Sequence, residues 1–404
     1  MTHFNLAFAA RMANVNASVI REILKVISRP DIISFAGGMP AQDLFPYAGL
    51  QAAAEAAFTT SDTALKALQY GPSEGYAPLR EAIAEQLRAE GIPLDGNQIL
   101  VTTGSQQGIM LIAHAFLDPG DEVVVADPTF LGALQAFGSF EAQLIPVPLD
   151  AEGMKLDALE QVLARHKPKF IYTVPTFQNP TGLALSDERK AHLYQIARNY
   201  GVPIIEDDPY GELYFGHERP RAIKSYDTSQ GVMLLRTFSK VLAPGLRVAY
   251  AVVPDGVMEK ILPLKQGNDL HTASFTQMMV AEYLRSGALE QHLVHLRDIY
   301  RRRRDLMLAA MDEHFPTWCE WTRPEGGLFI WVTLPETMAA EPLLEQAIRE
   351  QKVAFIPGKA FFAKGGGENT FRLNFSNASE EQIIEGVRRL GAVMRASRPA
   401  LAQN

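Results

Sequence analysis

Along the middle of the chain, short apolar runs alternate with stretches whose apolar residues recur at helical spacing. The runs Ile99 to Thr102, Glu122 to Ala126, Lys169 to Val174, Pro203 to Glu206, Val232 to Leu235 and Arg247 to Val253 show little polar alternation. Strands of that kind are covered on both faces, as in a parallel sheet flanked by helices. Leu156 to Arg165 and Asp187 to Tyr200 read as the amphipathic helices between them. The pattern predicts an α/β domain built on a mostly parallel sheet. Past Ser274 it changes. A long helical stretch from Phe275 to Asp312, whose run Arg301 to Arg304 reads as a solvated face, leads to strands at Gly327 to Val332 and Thr370 to Asn374. With helices at Glu341 to Gln351 and Glu380 to Ala396, these make a smaller α+β domain. An N-terminal helix from Ser18 to Ile27 is expected to pack against that domain or reach the cleft. The division is an N-terminal segment 1–46, a large domain 47–285 and a small domain 286–404.

Composition narrows the partners. A chain of 404 residues accommodates a large and a small domain, and 47% hydrophobic with 21% charged residues is ordinary for a soluble enzyme. The net charge of -8 gives no basic face, which argues against nucleic acid and anionic membranes. Cys319 is the sole cysteine, which excludes an internal disulfide and a cysteine-built metal site and leaves a semi-buried apolar residue. His292 and His295 are the only histidine pair at helical ligand spacing, and their polar surroundings mark them as surface residues, so no metal is expected. No apolar run approaches membrane-spanning length and the N-terminus lacks a signal-peptide pattern, so the expected compartment is the cytoplasm.

Candidate chemistry gathers where the strands end, the place where open α/β sheets bind ligands. Gly231 to Leu235 runs into Thr237-Phe238-Ser239-Lys240-Val241-Leu242-Ala243-Pro244-Gly245-Leu246-Arg247. That turn offers hydroxyls, an amine that can form an imine with an aldehyde, and a guanidinium whose fork fits phosphate oxygens. A lysine so placed suggests pyridoxal phosphate. Thr102-Thr103-Gly104-Ser105-Gln106 stands at a strand-to-helix turn, where the amides of Ser105 and Gln106 would face an anion; Ser105 serves equally well as a plain helix cap. Phe130, beyond Asp127-Pro128-Thr129, is either a surface for a ring to stack on or a core residue. Asn179-Pro180-Thr181-Gly182 is a turn that projects an amide able to bond a phenolic oxygen. In Glu206-Asp207-Asp208-Pro209-Tyr210, a strand-end carboxylate can keep a pyridine nitrogen protonated by charge pairing, and Tyr210 can bond the ring hydroxyl.

In this order the segments resemble those of fold type I pyridoxal-phosphate aminotransferases of class I/II, in particular the 2-aminoadipate and kynurenine aminotransferase group. The likeness runs from Ile33-Ser34-Phe35-Ala36-Gly37-Gly38-Met39-Pro40 to Phe371-Arg372-Leu373-Asn374-Phe375. Each motif is weak alone; seven in sequence are specific. The resemblance implies a large domain with a mostly parallel seven-stranded sheet plus a smaller α+β domain. It implies that Lys240 bonds the cofactor and shuttles the proton, and that Asp207 pairs with the pyridine nitrogen. Asn179 and Tyr210 would bond the ring oxygen, and Phe130 would stack on the ring. Ser105, Gln106, Thr237, Ser239 and Arg247 would hold the phosphate. Tyr70, in Gln69-Tyr70-Gly71-Pro72, matches a tyrosine lent to the neighbouring subunit, which implies a homodimer with active sites at the interface. Arg372 matches the arginine that grips the substrate carboxylate, and Gly38 would line the cleft. Phe130 and Thr237 stand where tyrosine and serine are common, and both changes preserve stacking and a hydroxyl donor.

The activity implied is ping-pong transamination from an amino acid to a 2-oxo acid, with 2-oxoglutarate as the expected acceptor. For the donor the resemblance suggests 2-aminoadipate, glutamate, aromatic or branched-chain amino acids. Arg21, in Ser18-Val19-Ile20-Arg21-Glu22, is the candidate reader of a distal carboxylate, against the plainer reading of a solvated helix residue. The same scaffold also carries β-eliminating lyases and decarboxylases, and forms the sensing half of some transcription regulators. The roughly thirty residues before Phe35 are too few for a helix-turn-helix module, and the charge is wrong for DNA.

Overall fold

The computed structural model describes residues 7–14, 31–92, 94 and 96–397. Among these residues fourteen strands fall into two sheets and one short pair. The strands are β1 (Ile33–Ser34), β2 (Ile99–Thr102), β3 (Glu122–Asp127), β4 (Gln143–Asp150), β5 (Gly153–Met154), β6 (Phe170–Thr173) and β7 (Ile204–Asp207). They continue with β8 (Val232–Thr237), β9 (Ala249–Val252), β10 (Glu320–Trp321), β11 (Phe329–Thr333), β12 (Val353–Ala354), β13 (Ile356–Pro357) and β14 (Thr370–Asn374). The large sheet has the order β2-β9-β8-β7-β6-β3-β4-β5. From β8 to β4 the pairing is parallel, while β9 is antiparallel to both its neighbours. The edge strand β2 and the inner strands β6, β7, β8 and β9 are buried along their whole length, which accounts for their unbroken apolar runs.

Seven of these strands match the expected sheet; the eighth, β5, is a two-residue return that pairs with the end of β4. β4 itself escaped the sequence pattern because it contains Pro146 and Pro148. Two residues apart, their missing N–H groups lie on one edge of the strand, while the amide of Gln143 and those in register with it face β3. The second sheet is antiparallel, β10-β11-β14-β13, and β1 pairs with β12 beside it.

The long helical stretch is two helices, Ser274–Arg285 and Ala288–His314, interrupted at Gly287, whose φ of 74° is left-handed. The arginine run is not a uniform solvated face. Arg303 falls on the stripe Leu296, Tyr300, Arg303, Met307 and is buried, bonding the Ser376 carbonyl and Asp43. The helix Asp187–Tyr200 begins at Ser186, whose hydroxyl accepts from Arg189 N, and ends at left-handed Gly201. The expected helix from Ser18 to Ile27, and Arg21 on it, lie outside the described residues. No described helix is long and apolar enough to cross a membrane.

Candidate active site

The parallel strands point their carboxyl ends at one cavity of about 410 Å³, lined among others by Gly38, Ser105, Phe130, Asn179, Asp207 and Lys240. It also receives Gln106, Tyr210, Thr237, Ser239, Arg247 and Arg372, so the structure brings together every described candidate except Tyr70. Lys240 follows β8, and its Nζ donates to the Gly38 carbonyl at 2.8 Å. Burial, helped by the nearby charges of Arg372 and Arg247, lowers its pKa to about 8. The amine is thus much nearer its free-base form at neutral pH than a surface lysine.

Asp207 ends β7. Its Oδ2 accepts from the Tyr172 hydroxyl at 2.7 Å, whereas its Oδ1 is buried with no partner among the described residues. Burial raises this carboxyl to about 7 and the negative Asp208 adds to the rise, while the Tyr172 bond opposes it. A buried carboxylate with one free oxygen calls for a cationic or N–H partner.

One end of the cavity is framed by two turns. Gly104, not Ser105, caps the helix Ser105–Phe116, and its φ of 84° and ψ of 158° suit glycine alone. This removes the plain-cap reading of Ser105, which becomes the first helical residue with its amide at the helix N-terminus. A Cβ on Gly104 would stand 2.8 Å from Arg247 Cζ and closer still to Nη2, so the absence of a side chain there makes room for the guanidinium. Arg247 Nη2 donates to the Thr103 carbonyl at 3.3 Å, and Thr237 Oγ1 donates to Ser239 Oγ at 2.9 Å. Gln106 Nε2 is held by the Gly132 carbonyl at 2.8 Å, next to Phe130.

Arg372, on β14, crosses from the second sheet into the cavity. Nη1 donates to Asn179 Oδ1 at 2.6 Å and Nη2 to the Ala36 carbonyl at 2.9 Å. The guanidinium lies 4.3 Å from the Phe329 ring centroid and 5.2 Å from that of Phe361, which fixes its plane. Burial lowers its pKa to about 10, so it stays charged at neutral pH.

Tyr70 is set apart. It is 79% exposed, stacks edge-on against His271 and lines a separate cavity of about 510 Å³ with Leu65, Lys66 and Met278. His295 is exposed as expected, but His292 is half-buried and bonds the Val241 backbone, and burial lowers it to about 4. Cys319 is buried, and its Sγ donates to the Pro316 carbonyl. No group of three metal-ligating side chains occurs among the described residues. Tyr172, Gln135 and Phe361 escaped the sequence reading, since a strand tyrosine and isolated helix residues carry no motif.

Residues 31–390 match the family described as aminotransferase class I and II. The chain belongs to that family. It is 44% identical over 392 residues to 2-aminoadipate transaminase of Thermus thermophilus, covering 96% of each chain. It is 41% identical over 394 residues to aromatic-amino-acid aminotransferase 1 of Thermococcus litoralis, covering 96% of this chain and 94% of that one. The crystal structure of α-aminoadipate aminotransferase from Thermus thermophilus, complexed with N-(5'-phosphopyridoxyl)-L-leucine, superposes with a TM-score of 0.90. That pair is 43% identical, and the match covers 96% of this chain and 97% of the other. This class I/II aminotransferase therefore has the type I fold and transaminates with pyridoxal phosphate. The cavity fits that group: Asp207 Oδ1 lacks a partner among the described residues, and the bare Gly104 seats the Arg247 guanidinium beside the helix N-terminus at Ser105, a donor set suited to a phosphate.

Proposed function

We propose that this aminotransferase acts on a broad set of amino acids, among them 2-aminoadipate, glutamate, aromatic and branched-chain donors, with 2-oxoglutarate as acceptor. The observation that carries the site assignment is the meeting of the Lys240 amine, the half-satisfied Asp207 and the Arg372 fork in one cavity. The breadth rests on relatives named for aminoadipate and for aromatic amino acids, and on the leucine adduct in the related structure. Apolar Leu131 and Phe361 share the cavity lining with the amide of Gln135, a mixture compatible with both side-chain classes.

When bound, the cofactor supplies an electron sink for the pair of electrons left at the substrate Cα. Lys240 Nζ is its attachment point and, once freed, takes the Cα proton; an amine at about 8 is close to the matched pKa that proton transfer favours. Asp207 would hold the ring-nitrogen proton, and Asn179 and Tyr210 would hold the ring oxygen. Phe130 would stack on the ring. Ser105, Gln106, Thr237, Ser239 and Arg247 would grip the phosphate. Arg372 binds the α-carboxylate, already oriented by Asn179 and Ala36. Gly38 keeps the floor open beside the amine.

The chain divides into an N-terminal segment 1–46, a large domain (47–285) and a small one (286–404). The enzyme is a cytoplasmic homodimer in which exposed Tyr70 completes the partner subunit's phosphate site. Mixing Tyr70→Ala chains with Lys240→Ala chains should then restore activity, since hybrid dimers contain one intact site. Arg21 reads a distal carboxylate, so Arg21→Ala should weaken aminoadipate more than leucine. The deciding test is Arg372→Lys. With the planar fork lost, kcat/KM for every donor should fall about 10²- to 10³-fold, with the cofactor still bound. An unchanged kcat/KM across donors would remove Arg372 from carboxylate binding.

A further inference from the structure

Tyr172 lies on β6, one strand from Asp207, and the register Tyr172↔Ile205 places it on the same sheet face as the Asp207 side chain two residues further on. It is fully buried, its ring edge-on to Phe137 at 5.4 Å. Its hydroxyl donates to Asp207 Oδ2 at 2.7 Å. The other carboxylate oxygen, Oδ1, is buried without a partner among the described residues. The two oxygens of Asp207 are therefore divided, one bonded to the protein and one left for a ligand. Tyrosine is an expensive way merely to fill a core, because a buried hydroxyl needs a partner and phenylalanine needs none.

We propose that Tyr172 is a positioning residue for the cofactor: its hydroxyl fixes the rotation of the Asp207 carboxylate and makes that carboxylate the weaker base of the Asp207–ring nitrogen pair, so that the shared proton stays on the nitrogen. The inference rests on the assignment of Asp207 to the ring nitrogen. The physical argument is one of competition for lone-pair density. A carboxylate that already accepts a strong O–H donor is less basic toward a second proton. Without that donor, a carboxylate in a dry site drifts toward its neutral form and pulls the proton off its partner, leaving an uncharged pair. The titratable groups around Asp207 are Tyr172 across the sheet, Asp208 beside it and Tyr210 on the following turn. Asp208 is negative and works against ionisation of Asp207, which leaves Tyr172 as the neighbour that favours it.

The experiment uses the full-length protein loaded with pyridoxal phosphate labelled with 15N in the ring. Tyr172→Phe keeps the ring packed against Phe137 and removes the hydroxyl alone. The expected result is a 15N shift displaced toward neutral pyridine, a kcat at least about tenfold lower, and cofactor affinity about tenfold weaker. In the cofactor-free variant, the labelled Asp207 carboxyl should titrate higher than in the wild type, a readout independent of turnover. Phe137→Leu, which disturbs the packing and keeps the hydroxyl, should lower the melting temperature and leave the 15N shift in place. A Tyr172→Phe protein with the wild-type 15N shift and carboxyl titration overturns the proposal, whatever its stability. Asp207→Asn separates the two layers: if that change also fails to move the 15N shift, the assignment of Asp207 is at fault, and with it the proposal.

Discussion

Gly104→Ala is the sharpest test of how the phosphate end of the cavity is built. Gly104 sits at φ 84° and ψ 158°, a region open to glycine and costly for any other residue, at about 1–3 kcal/mol. The new methyl would also meet Arg247, 2.8 Å from Cζ and nearer Nη2. Arg247 is an exposed side chain whose guanidinium makes two weak hydrogen bonds among the described residues, each at 3.3 Å, to the Thr103 and Pro244 carbonyls. It can swing outward. The protein should therefore fold, with a melting temperature lowered by several degrees, and lose the guanidinium from the phosphate site. One charge-assisted hydrogen bond is worth about 1.5–3 kcal/mol, roughly 10- to 150-fold in cofactor affinity. Titration of the cofactor-free protein with pyridoxal phosphate, followed by the absorbance of the lysine-bound form, measures it. The decisive comparison adds Gly104→Ala to an Arg247→Ala background, where the methyl has no guanidinium left to displace. Affinity should then fall little further, a non-additivity expected of residues in contact. An equal loss in both backgrounds would refute displacement of Arg247 and shift the cause to the backbone of the turn.

Lys240 makes the cofactor-free protein sensitive to pH. Its folded value of about 8 lies below the ordinary 10.5, so between these values the folded state binds fewer protons than the unfolded one. The cost of burying this lysine is full below pH 8 and fades as pH rises toward 10.5. Lys240→Met should raise the melting temperature at about pH 7 and gain much less at about pH 10; equal gains would sink this account. Glu206 behaves oppositely. Burial, with Asp208 beside it, lifts Glu206 to about 7, above its ordinary 4.5. Its stabilising effect is therefore complete below pH 4.5 and lost as pH rises through 7. Even so, both its oxygens accept amides, Ile223 N and Lys224 N at 2.8 Å each. Glu206→Gln sets an NH2 against one of them and should cost about 1–3 kcal/mol in chemical denaturation. A Gln variant more stable than the wild type at about pH 8 would show that charge burial outweighs the lost acceptor.

How much of this was legible in the sequence depends on how local the signal is. Asp187–Tyr200 and Glu380–Ala396 could be bounded to the residue because serine caps, Ser186 and Ser379, open them. The cavity residues stood at strand ends in motifs that carry their own turn chemistry, so their convergence could be expected. β4 was hidden by two prolines that a strand tolerates only through its pairing on one edge. Arg303 looked solvated because a charge run reads as surface, yet helical phase turned it inward to Asp43 and Ser376. Tyr172 was invisible for a different reason. Its hydroxyl matters through a residue 35 positions away, and only the register of β6 on β7 brings the two together.

The stretch Ile33 to Gly38 also sets what kinds of variation this protein tolerates. Ile33 and Ser34 are laced to Val353 and Ala354, the Phe35 carbonyl accepts from Asn374 N, the Ala36 carbonyl holds Arg372, and the Gly38 carbonyl holds Lys240. The contacts to Asn374, Arg372 and Lys240 are made by main-chain oxygens, so their alignment depends first on chain length and on the buried Phe35 and Ala36 that seat this backbone. A one-residue insertion between Ala36 and Gly38 would slide the anchor of the amine past that of the guanidinium by about 3.3–3.8 Å. Such a lesion would leave every catalytic side chain in the sequence and still misalign the pair. In variant libraries of this enzyme, deletions and insertions between Ala36 and Gly38 should therefore score as badly as loss of Lys240 itself, while point substitutions at the half-buried Ile33 and Ser34 are tolerated better than those at buried Phe35 and Ala36.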